Sequence, residues 1–159
     1  MTTKYPHKDD WKLNDQILSD AIKQIKKNFT VDCSHDIPYV AGYNKKGNTV
    51  YLDCELPEFM PLKGGKKLNV HAAIILHEVV EKSLIDVAGL PYQLSHQIAL
   101  RIERDAVESS GVSWDEYNKW MEKWVKEIGS RKVYPNTPRG LDMTPYEDEH
   151  DHAMIEKMK

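Results

Sequence analysis

Cysteine is scarce in this chain: Cys33 and Cys54 are the only 2 among 159 residues. Two cysteines cannot form the disulfide framework of a small secreted domain, so we expect free thiols and a cytoplasmic protein. The longest uninterrupted apolar run, Ala72–Leu76, is far too short to span a bilayer. The first residues, MTTKYPHKDDW, lack the apolar stretch of a secretory signal. These absences predict a soluble protein without membrane contact.

A basic excess is also missing. Lysine and arginine total 22 against 25 aspartates and glutamates, a formal net charge of −3, so we expect no nucleic-acid partner. The length suffices for one domain with a hydrophobic core. We expect that domain over residues 1–129 and an extended polar tail over 130–159, with the oligomeric state left open. The tail could instead fold back through three apolar anchors, Leu141, Met143 and Tyr146.

Apolar periodicity and turn residues divide the chain into elements. A helical spacing covers Asp9–Lys27, whereas Ile37–Tyr43 and Thr49–Cys54 flank the turn sequence NKKG and predict a β-hairpin. Prolines and glycines in Glu55–Lys67 predict a loop, whose lysines are either solvated or attract an acidic substrate. Three helices follow, over about Leu68–Gly89, Pro91–Ser110 and Ser113–Ile128. The fold class is therefore α+β: a mostly helical single domain with a short antiparallel hairpin packed against the helices.

Residues typical of helix ends support these boundaries. Asn69 suits the N-cap of the central helix, and Gly89 suits the position just past its end. Ser113 and Glu116 form a capping-box pattern at the start of the third helix. An apolar stripe at helical spacing along this helix predicts core packing rather than a ligand site; it comprises Trp114, Tyr117, Trp120, Trp124 and Ile128.

The central helix carries the most chemically specific pattern, the sequence His77-Glu78-x-x-Glu81. His77 and Glu81 lie one turn apart on the same helical face, so both can reach one metal ion. In zinc hydrolases with the pattern H-E-x-x-H, the glutamate after the first histidine is the general base, which gives Glu78 that role. Glu81 stands where that pattern has its second histidine.

The following helix supplies two further candidates, His96 and Glu103, which are seven residues apart and share a face. The short connection between the helices places these residues opposite the first group. A catalytic zinc site needs three protein ligands and an open position. The preferred set is His77, Glu81 and His96, with Glu103 orienting a ligand, because imidazole suits zinc. The competing set takes Glu103 instead of His96.

This ligand set predicts a metal-dependent hydrolase in which Glu78 activates a metal-bound water. Zinc is the expected ion, and manganese or iron also accepts mixed histidine and glutamate ligands. Tyr92 or another nearby donor would stabilise the oxyanion. The strand Thr49–Cys54 would offer an edge for an extended protein or peptide substrate.

Three alternatives involve no hydrolysis by a single metal ion. The chain could be a non-catalytic interaction protein with a degenerate or purely structural metal site. It could also lack a metal site, with Glu81 paired to a nearby cation and His77 a hydrogen-bonded histidine between helices. The cations available to Glu81 are Lys82, Lys126 and Arg101. A di-metal carboxylate–histidine protein is the weaker alternative, because the Glu-x-x-His pairs of such sites are absent from the central helices.

The order of these features resembles the minimal zincin arrangement of small metallopeptidases, in particular the compact ImmA/IrrE-like proteins of mobile elements and phages. Three segments within Ile37–Trp114 carry this resemblance and also look like uncharacterised phage and prophage proteins: IPYVAGYNKKGNTVYLD, HEVVEKSLID and YQLSHQIALRIERDAVESSGVSW. In that pattern His77 matches the first ligand, Glu78 the general base and Glu81 the second ligand position. The resemblance implies a zincin-like helix pair and a peptidase-like zinc hydrolase of phage or prophage origin in the bacterial host cytoplasm.

Overall fold

The computed structural model describes residue 23 and residues 27–159. The helix predicted over Asp9–Lys27 therefore lies outside the described residues, except for Lys23 and Lys27, which are helical. The described part of the chain is a mixture of helices and short strands in two small sheets, which confirms the predicted α+β class.

The first sheet has three strands, β1 Thr30–His35, β2 Ala41–Tyr43 and β3 Thr49–Asp53, in the order β1-β3-β2. Strands β2 and β3 pair antiparallel around the NKKG turn, which confirms the predicted hairpin with a shorter first strand. The side chain of Asn44 closes this turn by accepting hydrogen bonds from the backbone of Lys46 and Gly47. The structure adds β1, which pairs parallel to β3.

The parallel pairing corrects one prediction. Because β3 lies between β1 and β2, the segment Thr49–Cys54 offers no free edge to an extended peptide. A strand with neighbours on both sides has already used its backbone donors and acceptors. No local sequence pattern predicts the pairing of β1 with β3, because the two strands are not adjacent in the chain.

The loop predicted over Glu55–Lys67 is also partly wrong. Strands β4 Phe59–Pro61 and β5 Lys67–Asn69 pair antiparallel there, around a 3-10 turn at Lys63–Gly65. The two glycines of this turn have φ angles of 74° and 76°, a conformation that glycine adopts without strain. Proline is tolerated at the end of β4 because a two-stranded sheet consists only of edges. The lysines of the segment are exposed.

Three longer helices follow: α1 Val70–Asp86, α2 Tyr92–Ser109 and α3 Trp114–Gly129. The predicted caps are confirmed. Asn69 accepts a hydrogen bond from the Ala72 backbone at 2.9 Å, and Ser113 accepts one from the Glu116 backbone at 3.2 Å. The chain leaves α1 through Gly89, whose φ of 66° is left-handed. Among the described residues, no helix combines the length and apolarity needed to cross a membrane.

The main hydrophobic core lies between the first sheet and the three helices. Strand β3 contributes Val50 and Leu52, and α1 contributes Ile75. On α3, Tyr117 and Ile128 are buried in this core. The three tryptophans of that helix are partly buried and pack against the core, as the stripe predicted.

The C-terminal segment is not extended. Residues 130–159 contain two short helices, α4 Thr144–Asp148 and α5 His152–Lys157. The segment folds back as the alternative prediction described. Its apolar anchors join a second core cluster that contains Ile37, Tyr51, Leu141 and Tyr146, with Met143 packed against it. This segment also forms an antiparallel bridge between Leu141 and Asn44 beside the hairpin, so it is part of the folded domain.

Candidate metal centre

Two helices supply the candidate centre. On α1, His77, Glu78 and Glu81 are 6%, 8% and 3% exposed, which is unusual for charged residues. Helix α2 lies alongside α1 because only a short connection separates them, and it presents His96 and Glu103 towards the same place. Residues from both helices therefore meet in one cluster, as their spacing along the sequence predicted.

Three potential ligand atoms converge in this cluster. His77 Nε2 lies 3.3 Å from Glu81 Oε2 and 3.2 Å from His96 Nδ1, and these last two atoms are 2.9 Å apart. Nitrogen and oxygen ligands about 2.0–2.1 Å from a tetrahedral zinc ion lie about 3.3–3.4 Å from each other. The triangle formed by His77, Glu81 and His96 is therefore of the right size to hold one metal ion.

Glu103 occupies a different place. Its Oε2 lies 2.7 Å from Nδ1 of His77, on the other side of the imidazole ring from the three converging atoms. A carboxylate only accepts hydrogen bonds, so Nδ1 donates to Glu103, and Nε2 is turned towards Glu81 and His96. The structure thus gives Glu103 the contact of an orienting residue, and His96 that of the third potential ligand.

Two tyrosine hydroxyls fix the carboxylates. Tyr117 donates to Glu103 Oε1 at 2.6 Å, and Tyr43 donates to Glu81 Oε1 at 3.0 Å. Each carboxylate is therefore held by a hydroxyl on one oxygen and leaves its other oxygen for the histidines. Burial raises the pKa of both tyrosines well above the ordinary range, so these groups remain donors.

The buried charges shift one another's pKa values. Burial opposes a charge on His77, but its hydrogen bonds to Glu103 and Glu81 outweigh burial and raise its pKa to about 10. Burial likewise acts to raise the pKa of Glu81, yet the hydrogen bonds from His77 and His96 lower it overall. Burial raises the pKa of Glu78, and although the charge of His77 acts to lower it, the neighbouring carboxylates of Glu81 and Glu103 also raise it. Neighbouring buried carboxyl groups of different affinity for protons are typical of functional sites.

A small cavity of about 90 Å³ opens beside the cluster. His77, Glu78, Glu81 and His96 line one side of it. The other side comes from β2, the loop before it and the C-terminal segment, through Tyr39, Tyr43, Leu141, Asp142, Pro145 and Tyr146. Tyr92, predicted as a donor near the site, also lines the cavity and packs its ring 5.7 Å from that of His96.

The pairing of Glu81 with Lys82, one of the alternatives from the sequence, does not form. Lys82 is buried but pairs with Asp86, at 2.8 Å, rather than with Glu81. His71, on the first turn of α1, lies within hydrogen-bonding distance of the Leu56 carbonyl oxygen and does not line the cavity. Sequence reasoning missed the residues brought by non-local folding: Tyr43, Tyr117, Asp142 and Tyr146. No spacing pattern connects them to α1.

A second group of potential metal ligands, Asp36, Asp53 and Cys54, lies elsewhere in the fold. The Arg131 guanidinium occupies this cluster, with bonds of 2.7 and 3.0 Å to Asp53 and one of 3.4 Å to Asp36. The buried Asp53 carboxylate already has its cation, so this group is an ion-pair network of the fold.

Comparison of the chain with protein-family models, with curated proteins and with solved structures finds no match. The similarity to ImmA/IrrE-like metallopeptidases and to phage proteins therefore remains a prediction from the sequence.

Proposed function

We propose that this protein is a zinc-dependent hydrolase in which His77, Glu81 and His96 hold the ion and Glu78 is the general base. One observation carries the proposal: three ligand atoms from two helices converge at tetrahedral spacing beside a cavity. A purely structural zinc site has four protein ligands, whereas three ligands and a cavity leave one position for water and substrate.

The residues divide the chemistry between them. When bound, zinc lowers the pKa of its water ligand towards neutrality and polarises a substrate carbonyl. Glu78, adjacent to a ligand and lining the cavity, accepts the proton from the attacking water and delivers it to the leaving group. Glu103 fixes the ring of His77, and Tyr43 fixes Glu81, so the ligands need little rearrangement.

The resemblance described above extends this proposal. It favours a peptidase-like hydrolase of phage or prophage origin that acts on an amide bond in the host cytoplasm. Manganese or iron is the alternative ion, because both accept the same mixture of imidazole and carboxylate ligands.

The first experiment measures metal content of the tag-free protein by mass spectrometry. We expect about one zinc per chain, lost in each of the variants His77→Ala, Glu81→Ala and His96→Ala. His71→Ala is the matched control, since His71 is on the same helix but does not line the cavity. Failure to bind zinc, manganese or iron after reconstitution would overturn the proposal. The cluster would then be a hydrogen-bonded group of imidazoles and carboxylates that joins α1 to α2.

The second experiment separates catalysis from metal binding. Glu78→Gln keeps the size of the side chain but removes the base, so we expect full zinc content and hydrolysis of amides and esters reduced by about 100-fold or more. Zinc binding without any hydrolysis would instead favour the non-catalytic interaction protein. In such a protein the metal ion would only hold α1 and α2 together. The position of the potential ligands on both helices favours this role.

A further inference from the structure

The cavity beside the cluster has an unusual lining. Among the residues that the structure describes, no lysine or arginine lines it. Its walls combine carboxyl groups, from Glu78, Glu81 and Asp142, with the rings of four tyrosines: Tyr39, Tyr43, Tyr92 and Tyr146. Aromatic faces and carboxylates both attract organic cations, and cages of this composition recognise ammonium groups.

The buried carboxylate of Asp142 is the main reason to expect a cationic ligand in the cavity. It is 8% exposed, and its Oδ1 accepts hydrogen bonds from the backbone and hydroxyl of Thr144, at 3.0 and 2.7 Å. It forms no ion pair with any described lysine or arginine. Buried carboxylates are normally paired with a cation. A divalent ion at the metal centre would balance Glu81 and Glu103 and leave Asp142 without a partner.

The tyrosines of the lining are held in place by hydrogen bonds and by ring stacking. The hydroxyl of Tyr43 donates to Glu81 and that of Tyr39 donates to Asp151, at 2.7 Å for the latter. Tyr39 and Tyr146 stack with ring centroids 4.0 Å apart, so each ring fixes the other beside the cavity. The hydroxyl groups of Tyr39 and Tyr43 are therefore already bonded within the protein, and an aromatic ring of each of the four tyrosines belongs to a residue of the lining.

The backbone around the cavity limits the size of the ligand. Asp142 N donates to Tyr43 O and Lys45 N donates to Gly140 O, both at 2.9 Å. The C-terminal segment thus pairs along the outer side of the hairpin, beside the end of β2. An extended polypeptide that paired there would have to displace it. The space that remains for a ligand is the small cavity beside the cluster.

We propose that this cavity selects a small carbonyl compound that carries an ammonium group, seated among the tyrosine rings and Asp142 with its carbonyl towards the metal centre. This inference rests on the proposed function and names its substrate class. The ammonium group could belong to a free small amine or to the first residue of a peptide. The paired C-terminal segment favours the small amine.

Matched hydroxamates test the inference on zinc-loaded protein, by isothermal titration calorimetry. Glycine hydroxamate carries an ammonium group, acetohydroxamate is its neutral counterpart, and succinate monohydroxamate is anionic. We expect glycine hydroxamate to bind about tenfold more tightly than acetohydroxamate, and the anion to bind most weakly. Equal affinities, or a preference for the anion, would overturn the inference. Triglycine hydroxamate should bind more weakly than glycine hydroxamate, and tighter binding would identify a peptide as the substrate and contradict the small amine.

The variant Asp142→Asn locates the cation site. Asparagine still accepts the hydrogen bonds from Thr144 but removes the charge, so the tenfold preference should fall to about twofold or less while zinc content stays the same. Glu147→Gln, an exposed change on the same segment, should keep the preference. A preference that survives Asp142→Asn would contradict this placement.

The two proposals can fail separately. If zinc does not bind, glycinamide and acetamide are titrated against the metal-free protein by nuclear magnetic resonance. Tighter binding of glycinamide, abolished in Asp142→Asn, would support the cation site although the hydrolase proposal had failed. Equal binding of the two amides would overturn the inference as well.

Discussion

At the scale of single residues, the two ring nitrogens of His77 have different partners. Nδ1 faces Glu103 and Nε2 faces Glu81 and His96. A histidine held in this way has a fixed ring orientation, which reduces the rearrangement that metal binding would require. Glu103 is itself 4% exposed and fixed by Tyr117, so this orientation depends on a chain of buried contacts from α3 through α2 to α1.

The variant Glu103→Gln tests whether these buried contacts support metal binding. Glutamine keeps the size of the side chain but accepts a weaker hydrogen bond from His77, so we expect zinc affinity to fall by about 10- to 100-fold with the stoichiometry unchanged. Competition with a fluorescent zinc chelator measures the affinity. Glu108→Gln, an exposed change on the same helix, is the matched control. Loss of zinc in Glu103→Gln together with its retention in His96→Ala would identify Glu103 as the third ligand.

At the scale of elements, α1 is placed by its ends as well as by its core face. Asn69 is both the last residue of β5 and the N-cap of α1, where its side chain accepts the hydrogen bond from Ala72 N. The second sheet therefore runs directly into the helix that carries His77. A weaker cap would loosen the first turn of α1, two turns before the metal centre.

Removing this cap should have a small and specific cost. Asn69→Ala leaves the Ala72 backbone donor without its side-chain partner, and we expect the free energy of unfolding to fall by about 1 kcal/mol. For a domain of this size that loss lowers the melting temperature by about 2–4 °C, measurable by calorimetry. Asn69→Asp keeps a good N-cap acceptor and should stay within about 1 °C of the wild type. Equal loss in both variants would show that the cap itself contributes little.

The elements also show what the sequence can and cannot predict. The caps of α1 and α3, the turn of the hairpin and the pairing of His77 with Glu81 depend on residues a few positions apart, so local patterns predict them. Strand β1 escaped prediction because it is fixed by parallel pairing with β3. Strands β4 and β5 escaped it because prolines and glycines normally indicate a loop. The facing positions of His96 and Glu103 were predictable only because the connection between α1 and α2 is short.

At the scale of the whole molecule, the C-terminal segment determines the shape of the site. Gly42 on β2 has no side chain, and a Cβ atom there would lie 2.7 Å from Leu141 Cδ1. This close approach lets the segment lie against the hairpin and bring Asp142 and Tyr146 to the cavity. These two cavity residues lie more than fifty positions after Glu81, so no sequence pattern links them to the candidate metal centre. The sequence alone therefore predicted the group of potential ligands but not the opposite wall of the cavity.

Tyr146 holds this segment in place, and two substitutions separate the roles of its ring and its hydroxyl. The side chain is 2% exposed, its ring stacks on Tyr39, and its buried hydroxyl has no hydrogen-bond partner among the described residues. Tyr146→Phe keeps the ring and removes only an unpaired polar group, so stability should be unchanged or slightly higher. Tyr146→Ala removes the ring and should destabilise the docked segment by about 3 kcal/mol.

Hydrogen exchange followed by mass spectrometry measures where that destabilisation acts. The segment docks on one side of the hairpin and belongs to a second cluster, so it can open without opening the main core. In Tyr146→Ala we expect amides in residues 140–146 to exchange about 100-fold faster, the equivalent of about 3 kcal/mol, with α1 unchanged. Tyr146→Phe should show the wild-type pattern in both regions. Equal acceleration in the segment and in α1 would mean that the wall of the cavity and the metal centre unfold together, as one cooperative unit.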